Sequence, residues 1–237
     1  MLVKEAKAII GSLGKPSKMP GFSYGLPACE AKWVPEFCKN LNLPIPPHYG
    51  CDFGSLLAKN PNSPCHNCYA DNRGNYTYES LKHGQLLRLI GTYHSLWKDA
   101  MIMLIDRYID PSEPYFRWLD SGDLPHKKML HDIVEIANAL PHVKFWLPTQ
   151  ERRLVSKFLR YNKKPDNLCI RISNVRKDSH APESTTTFKF FAKNVITSSS
   201  ISTENKHDCP SDQYDNTCGP CRKCWDTANE HTIYKLH

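Results

Sequence analysis

The run Cys218-Gly219-Pro220-Cys221-Arg222-Lys223-Cys224 carries three thiols with two-residue spacers, and Cys209-Pro210 stands a short way upstream. Closely spaced thiols can present their sulfurs in one direction around a compact inorganic core. A fourth, more remote cysteine then closes the site. Ferredoxin-type sites use this pattern, often with proline beside a ligand. Gly219 tolerates a left-handed backbone and Pro220 stiffens the turn, so the loop suits bending around a cluster. The spacing favours an iron–sulfur cluster of the [4Fe-4S] type on Cys209, Cys218, Cys221 and Cys224. Zinc is the alternative metal, although it more often takes two separated C-x2-C pairs that grip one tetrahedral ion.

A second set lies upstream: Cys65-His66-Asn67-Cys68-Tyr69-Ala70, preceded by Cys29, Cys38 and Cys51. A lone C-x2-C serves equally as a zinc knuckle, half of a cluster site or a redox dithiol. Cys65 and Cys68 are metal candidates in either of two arrangements. They join the C-terminal cysteines in a shared site, or the upstream set holds its own metal. Cys169 sits within an apolar strand and reads as a packed core thiol.

Polar residues cluster where strands end. One strand leads into Asp120-Ser121-Gly122-Asp123, a second into Pro148-Thr149-Gln150-Glu151, and a third carries Arg171 and ends at Ser173. In parallel sheets, ligands bind beyond the carboxyl ends of the strands. Asp120, Ser121, Asp123, Thr149, Gln150 and Arg171 are therefore candidates for a pocket that takes a cation, a sugar or an amine. The local alternative is helix capping by Asp123 and Thr149. Arg117 and Arg171 lie inside apolar strands and need a partner, for which Asp120, Asp123 or a bound anion would serve.

The elements that must position these groups follow from periodicity. Residues 1–77 are rich in proline and carry the first C-x2-C, so regular elements there are short, with one helix expected between Trp33 and Leu43. Residues 78–197 form the core. An apolar stripe from Leu86 to Tyr108 marks one long helix or two consecutive ones. Strands at 115–119, 143–147 and 168–172 alternate with helices at 129–140 and 154–159, and 185–191 and 195–197 read as further strands. Strand–helix–strand repeats imply parallel pairing. The fold class is α/β: an incomplete βα barrel or open parallel sheet, with residues 198–237 a polar, cysteine-rich tail. The whole reads as one structural domain.

Composition narrows the partners. The net charge of +7 arises from 31 basic and 24 acidic residues. Between Glu151 and Asn194 lie 11 Lys/Arg and four Asp/Glu, so this segment carries the whole excess. Such a segment is a solvated surface or, alternatively, a nucleic-acid-binding face. No stretch approaches the roughly 20 apolar residues that span a bilayer, and none at the N-terminus has signal-peptide character. The expected compartment is a cytosol, where clustered cysteines are more often metal ligands than disulfides.

Five motifs occur in order: Ser17–Cys29 (SKMPGFSYGLPAC), Cys65–Ala70 (CHNCYA), Phe116–Asp123 (FRWLDSGD), Val143–Gln150 (VKFWLPTQ) and Cys218–Asp226 (CGPCRKCWD). Together they resemble the bacteriophage family called gene product eighty-eight, from about Ser17 to the C-terminus. The resemblance implies a phage-encoded protein of the infected bacterial cytoplasm, with metal-binding cysteines at Cys65, Cys68, Cys209, Cys218, Cys221 and Cys224. It implies no settled activity. The C-x2-C-Tyr-Ala element also resembles radical S-adenosylmethionine enzymes, which bind a cluster beside the first strand of a partial barrel through C-x3-C-x2-C. The chain departs from that pattern, since Pro61 occupies the first cysteine position and no glycine-rich run follows.

Three functions follow as expectations. The first is an iron–sulfur protein for electron transfer, redox sensing or scaffolding, acting on a redox, phage or host protein. The second is an enzyme on a barrel-like scaffold, with the pocket residues beside a cluster. The third is a zinc-stabilised nucleic-acid-binding protein.

Overall fold

The computed structural model describes residues 1–71, 73–204 and 206–236. Six strands form one open, all-parallel sheet in sequential order: β1 (Phe22–Tyr24), β2 (Tyr115–Trp118), β3 (Lys144–Thr149), β4 (Leu168–Ser173), β5 (Thr197–Ser202) and β6 (His231–Lys235). Parallel neighbours need a crossover, and helices supply most of them. The first crossover contains α2 (Val34–Asn40), α3 (Asp52–Leu57), α4 (Glu79–Gly91) and α5 (Trp97–Tyr108). Then come α6 (Lys127–Ala139), α7 (Arg152–Leu159) and α8 (Thr186–Lys193), while α1 (Val3–Ile10) precedes the sheet and packs on α4 and α5.

The pleat separates two chemistries. Phe116, Trp118, Phe145, Leu147, Leu168, Ile170 and Ile172 alternate along their strands and form one core with α1, α5, α6, α7 and α8. Burying each such side chain stabilises the fold by roughly 1.5–3 kcal/mol. The intervening positions put Arg117 beside Trp146 and Trp146 beside Cys169 across three strands. On this second face the C-terminal segment packs: Trp225 lies between Tyr115 and Trp146, with ring centroids at 5.2 and 5.3 Å. Its Nε1 donates to the Phe116 carbonyl at 2.9 Å.

The apolar stripe of residues 86–108 resolves into two helices, α4 and α5. Residues 185–191, read as a strand, instead begin α8. Thr185 Oγ1 accepts from the Phe188 amide at 3.2 Å, and Phe188 and Phe191 share the buried face. A threonine run resembles a strand in propensity, but here the cap and the i, i+3 aromatic pair decide. The following strand begins at Thr197 and continues to Ser202, so the tail contributes β5 and β6 to the sheet. β5 is almost all Ser and Thr yet mostly buried. Its hydroxyls are satisfied locally: Ser198 Oγ and Ser200 Oγ hydrogen-bond the two ring nitrogens of His231 at 2.7 and 3.0 Å.

Candidate metal centre

The C-terminal cysteines sit in a loop pinned from several directions. The Cys209 amide donates to the Ile233 carbonyl at 3.1 Å, tying the start of the segment to β6. The Cys218 amide donates to the Lys18 carbonyl at 2.9 Å, and the Cys221 amide to the Cys218 carbonyl at 3.0 Å, closing a tight turn. Gly219 takes φ +47°, and a Cβ there would lie 2.5 Å from the Tyr214 ring. Arg222 donates to the carbonyls of Gly219 and Cys221 at 2.6 and 2.8 Å and pairs with Glu113. The fully buried Arg171 completes the clamp. Its guanidinium donates to the carbonyls of Ser198, Asn229, Lys223 and Asp226 at 2.9–3.3 Å. It thus uses backbone acceptors rather than Asp120, Asp123 or a pocket.

These contacts gather the thiols. Burial, then Cys209 nearby, raises the pKa of Cys218, with Cys221 adding to it. Burial pushes Cys224 up to about 12, with Cys209 and Cys218 close enough to add to the shift. The Tyr234 hydroxyl lies 3.2 Å from Cys224 Sγ. Arg117, stacked 4.4 Å from the centre of the Trp146 ring, places a positive charge near Cys218 and Cys224.

Cys65 and Cys68 group with Cys29 and Cys51 in the connection that follows β1. The Cys29 thiol hydrogen-bonds Cys68, lowering the pKa of Cys68 and raising that of Cys29. Burial pushes Cys65 up to about 12 and Cys51 well above the usual thiol value. Cys29 and Cys51 were harder to see in the sequence because long, irregular stretches separate them from the C-x2-C. The remaining cysteines, Cys38 and Cys169, are buried apart. Cys38 packs with Ala31, Val34 and Leu86, and Cys169 contacts Thr197 Oγ1 at 3.5 Å. Among the described residues, no group of His, Cys, Asp or Glu is drawn tightly enough around one point to hold a single metal ion. A polynuclear core spreads its thiolates over separate irons and spaces them more widely.

The strand ends meet at one rim. Asp123 accepts from Thr149 Oγ1 at 2.5 Å and from the Gln150 and Leu124 amides at 2.8 Å. Burial nevertheless raises its pKa to about 7. The helix cap assigned to Asp123 is supplied by His126, whose Nδ1 accepts from the Met129 amide at 3.1 Å. Thr149 Oγ1 accepts from the Glu151 amide at 2.9 Å on entry to α7. Asp120 accepts from Ser23 Oγ at 3.0 Å, and Ser121 bridges Gln85 and the Leu26 carbonyl at 2.7 and 2.9 Å. Within the basic segment, Arg171 is internal and Arg152 pairs with Glu183 at 3.0 Å.

A family model described as Gene product 88 matches residues 2–227. The chain belongs to the Gene product 88 family. The match takes in both cysteine sets of this family member, and it begins upstream of Ser17. No curated protein and no solved structure matches the chain. Among the described residues, no helix is long and apolar enough to cross a membrane.

Proposed function

We propose that this Gene product 88 family member is an iron–sulfur protein that holds a [4Fe-4S] cluster on Cys209, Cys218, Cys221 and Cys224 and uses it for one-electron transfer or redox sensing. The supporting observation is the single tight loop that carries Cys218, Cys221 and Cys224, packed through Trp225 on the sheet face opposite the helical core and tied to Lys18 by the Cys218 amide. Four thiolates around a [4Fe-4S]²⁺ core carry net negative charge, and Arg117 provides a compensating cation. A hydroxyl beside a ligand sulfur is one of the levers that set a cluster's potential. The half-buried Tyr234 occupies that position. Arg171 and Trp225 tie the loop to the sheet through hydrogen bonds among protein groups alone.

The test is anaerobic purification followed by iron, sulfide and zinc analysis, with electron paramagnetic resonance before and after dithionite. A cubane signal that disappears in Cys221→Ala supports the proposal. Zinc without sulfide in the purified chain refutes it.

A second reading, an enzyme at the strand-end rim, draws support from Asp123. A buried carboxylate with a pKa near 7 suits proton exchange. Its test is a screen for ligands that protect Asp123 and Thr149 from hydrogen exchange or raise the melting temperature.

A further inference from the structure

We propose that Cys29, Cys51, Cys65 and Cys68 form a second tetrathiolate site, separate from the C-terminal set and occupied by an iron–sulfur cluster, whose thiolates bind separate irons and need not converge on one ion. The inference does not depend on what the C-terminal cysteines bind.

The argument is geometric. All four residues lie in the connection between β1 and α4, at the end of the sheet where β1 finishes. The Cys51 amide donates to the Cys29 carbonyl at 2.8 Å, which lashes the first two together. Gly50 permits this approach, since a Cβ there would sit 2.2 Å from the same carbonyl oxygen. Gly54 clears the next space. The position its Cβ would occupy lies 3.7 Å from Cys65 Sγ and 3.9 Å from Cys51 Sγ, so the two sulfurs flank one gap. Cys68 is brought in by its contact with Cys29.

The backbone around these residues is held in shapes that cost energy. Cys29 takes φ +54° and Asn67, inside the C-x2-C, takes φ +58°. Non-glycine residues adopt that region at a cost and keep it where the surroundings demand it. The Asp71 amide donates to the Cys68 carbonyl at 3.1 Å and closes the turn that follows the C-x2-C. Ser63 Oγ accepts from the Cys65 amide at 3.1 Å and shapes the entry to the turn.

Cys29, Cys65 and Cys68 line a cleft of about 780 Å³ whose charged residues are of both signs, four basic side chains against Glu30, Glu36 and Asp71. The segment also needs a fastening. Between Leu41 and Tyr78 the described residues include one six-residue α-helix and one 3₁₀ turn, and the stretch contributes Leu43 and Tyr49, both partly buried, to the small apolar cluster around Ala31, Val34, Cys38 and Leu86. Metal binding supplies such stability to segments too small to build a core.

The experiment uses the full chain, purified anaerobically. Iron, sulfide and zinc per chain are measured for the unmutated protein, Cys65→Ser/Cys68→Ser, Cys221→Ser, their combination, and Cys38→Ser as a control. The proposal expects the first two variants each to lose a separate part of the metal, the combination to lose nearly all, and the control none. Differential alkylation of the unmutated chain covers the case in which a variant fails to fold. Cys29, Cys51, Cys65 and Cys68 should become reactive only after a chelator or acid strips the metal, as read peptide by peptide. Loss of iron and sulfide from this set supports the site; loss of zinc alone, with no iron or sulfide, overturns the cluster. Full metal content in Cys65→Ser/Cys68→Ser, with alkylation of the four cysteines indifferent to chelator, overturns it. If only the C-terminal reading fails, Cys221→Ser keeps all the metal while these four stay protected.

Discussion

Arg171 Nη2 donates to the carbonyl of Lys223 at 3.1 Å, one residue before Cys224, across the face of the sheet from β4 to the C-terminal loop. The guanidinium also holds the Asp226, Asn229 and Ser198 carbonyls. One side chain thus sets the position of the cysteine loop against the sheet. Removing a buried hydrogen-bonding partner leaves its acceptors unsatisfied, at about 1–3 kcal/mol for a typical group. Arg171→Met keeps much of the volume and none of the donors. It is expected to destabilise the chain by about 3 kcal/mol, read from the denaturant midpoint, and to lower the metal held by Cys209, Cys218, Cys221 and Cys224. Arg171→Lys keeps the charge but loses the planar fork, and should recover only part of the loss.

This relationship also marks where sequence reading stopped. The strands 115–118, 144–149 and 168–173 were legible because parallel strands buried on both faces read as nearly continuous apolar runs. β5 was not, since Thr197-Ser198-Ser199-Ser200 is buried through hydroxyl bonds rather than apolar area. Arg171 looked like a ligand-binding cation because its acceptors are backbone carbonyls, and no sequence pattern advertises those. That Cys218, Cys221 and Cys224 share one tight loop was legible from their two-residue spacers. The grouping of Cys65 and Cys68 with Cys29 and Cys51 was not, because it depends on where the long connection after β1 lies.

Tyr234 offers a narrower test of the C-terminal site. Once Cys224 ligates a metal its sulfur can only accept, so the Tyr234 hydroxyl at 3.2 Å becomes the donor. A hydrogen bond to a ligand sulfur favours the more negative, reduced cluster. Tyr234→Phe should therefore shift the midpoint potential to a more negative value, measured by redox titration, with cluster content unchanged. An unchanged potential would remove Tyr234 from the sulfur's environment.

Two glycines make a matched pair for the upstream site. Gly84, in α4, has nothing within 4 Å of a new Cβ. Gly84→Ala should stabilise the chain by roughly 0.5–1 kcal/mol, the ordinary gain of alanine in a helix. At Gly54 the same Cβ would lie 2.9 Å from Cys51 Cβ and intrude between the Cys51 and Cys65 sulfurs. Gly54→Ala should forgo that gain and lower the metal bound by the upstream cysteines, while Gly84→Ala leaves metal content alone. Thermal melts and metal analysis of the two variants side by side decide it.

His126 makes part of the stability pH-dependent. Its Nδ1 accepts from the Met129 amide, so its Nε2 carries the proton and faces Thr92 Oγ1 at 3.1 Å. Protonating Nδ1 would abolish the cap of α6. Burial, with Lys128 adding to it and Asp132 opposing, lowers its pKa from 6.5 to about 4. The unfolded chain then binds the proton more tightly than the folded one across that interval. The contribution is complete above about pH 6.5 and is lost as the pH falls towards 4. With the ring half-buried and partly screened, the loss should be on the order of 1–2 kcal/mol. Asp123 runs the other way, because its pKa is raised from 3.8 to about 7 and its contribution fades as the pH rises through that range. The comparison therefore has to be between the unmutated chain and His126→Asn, which keeps a capping acceptor but does not titrate. The difference in unfolding free energy between the two should change by this amount from pH 7 to pH 4. A difference that stays flat would mean that the cap survives protonation.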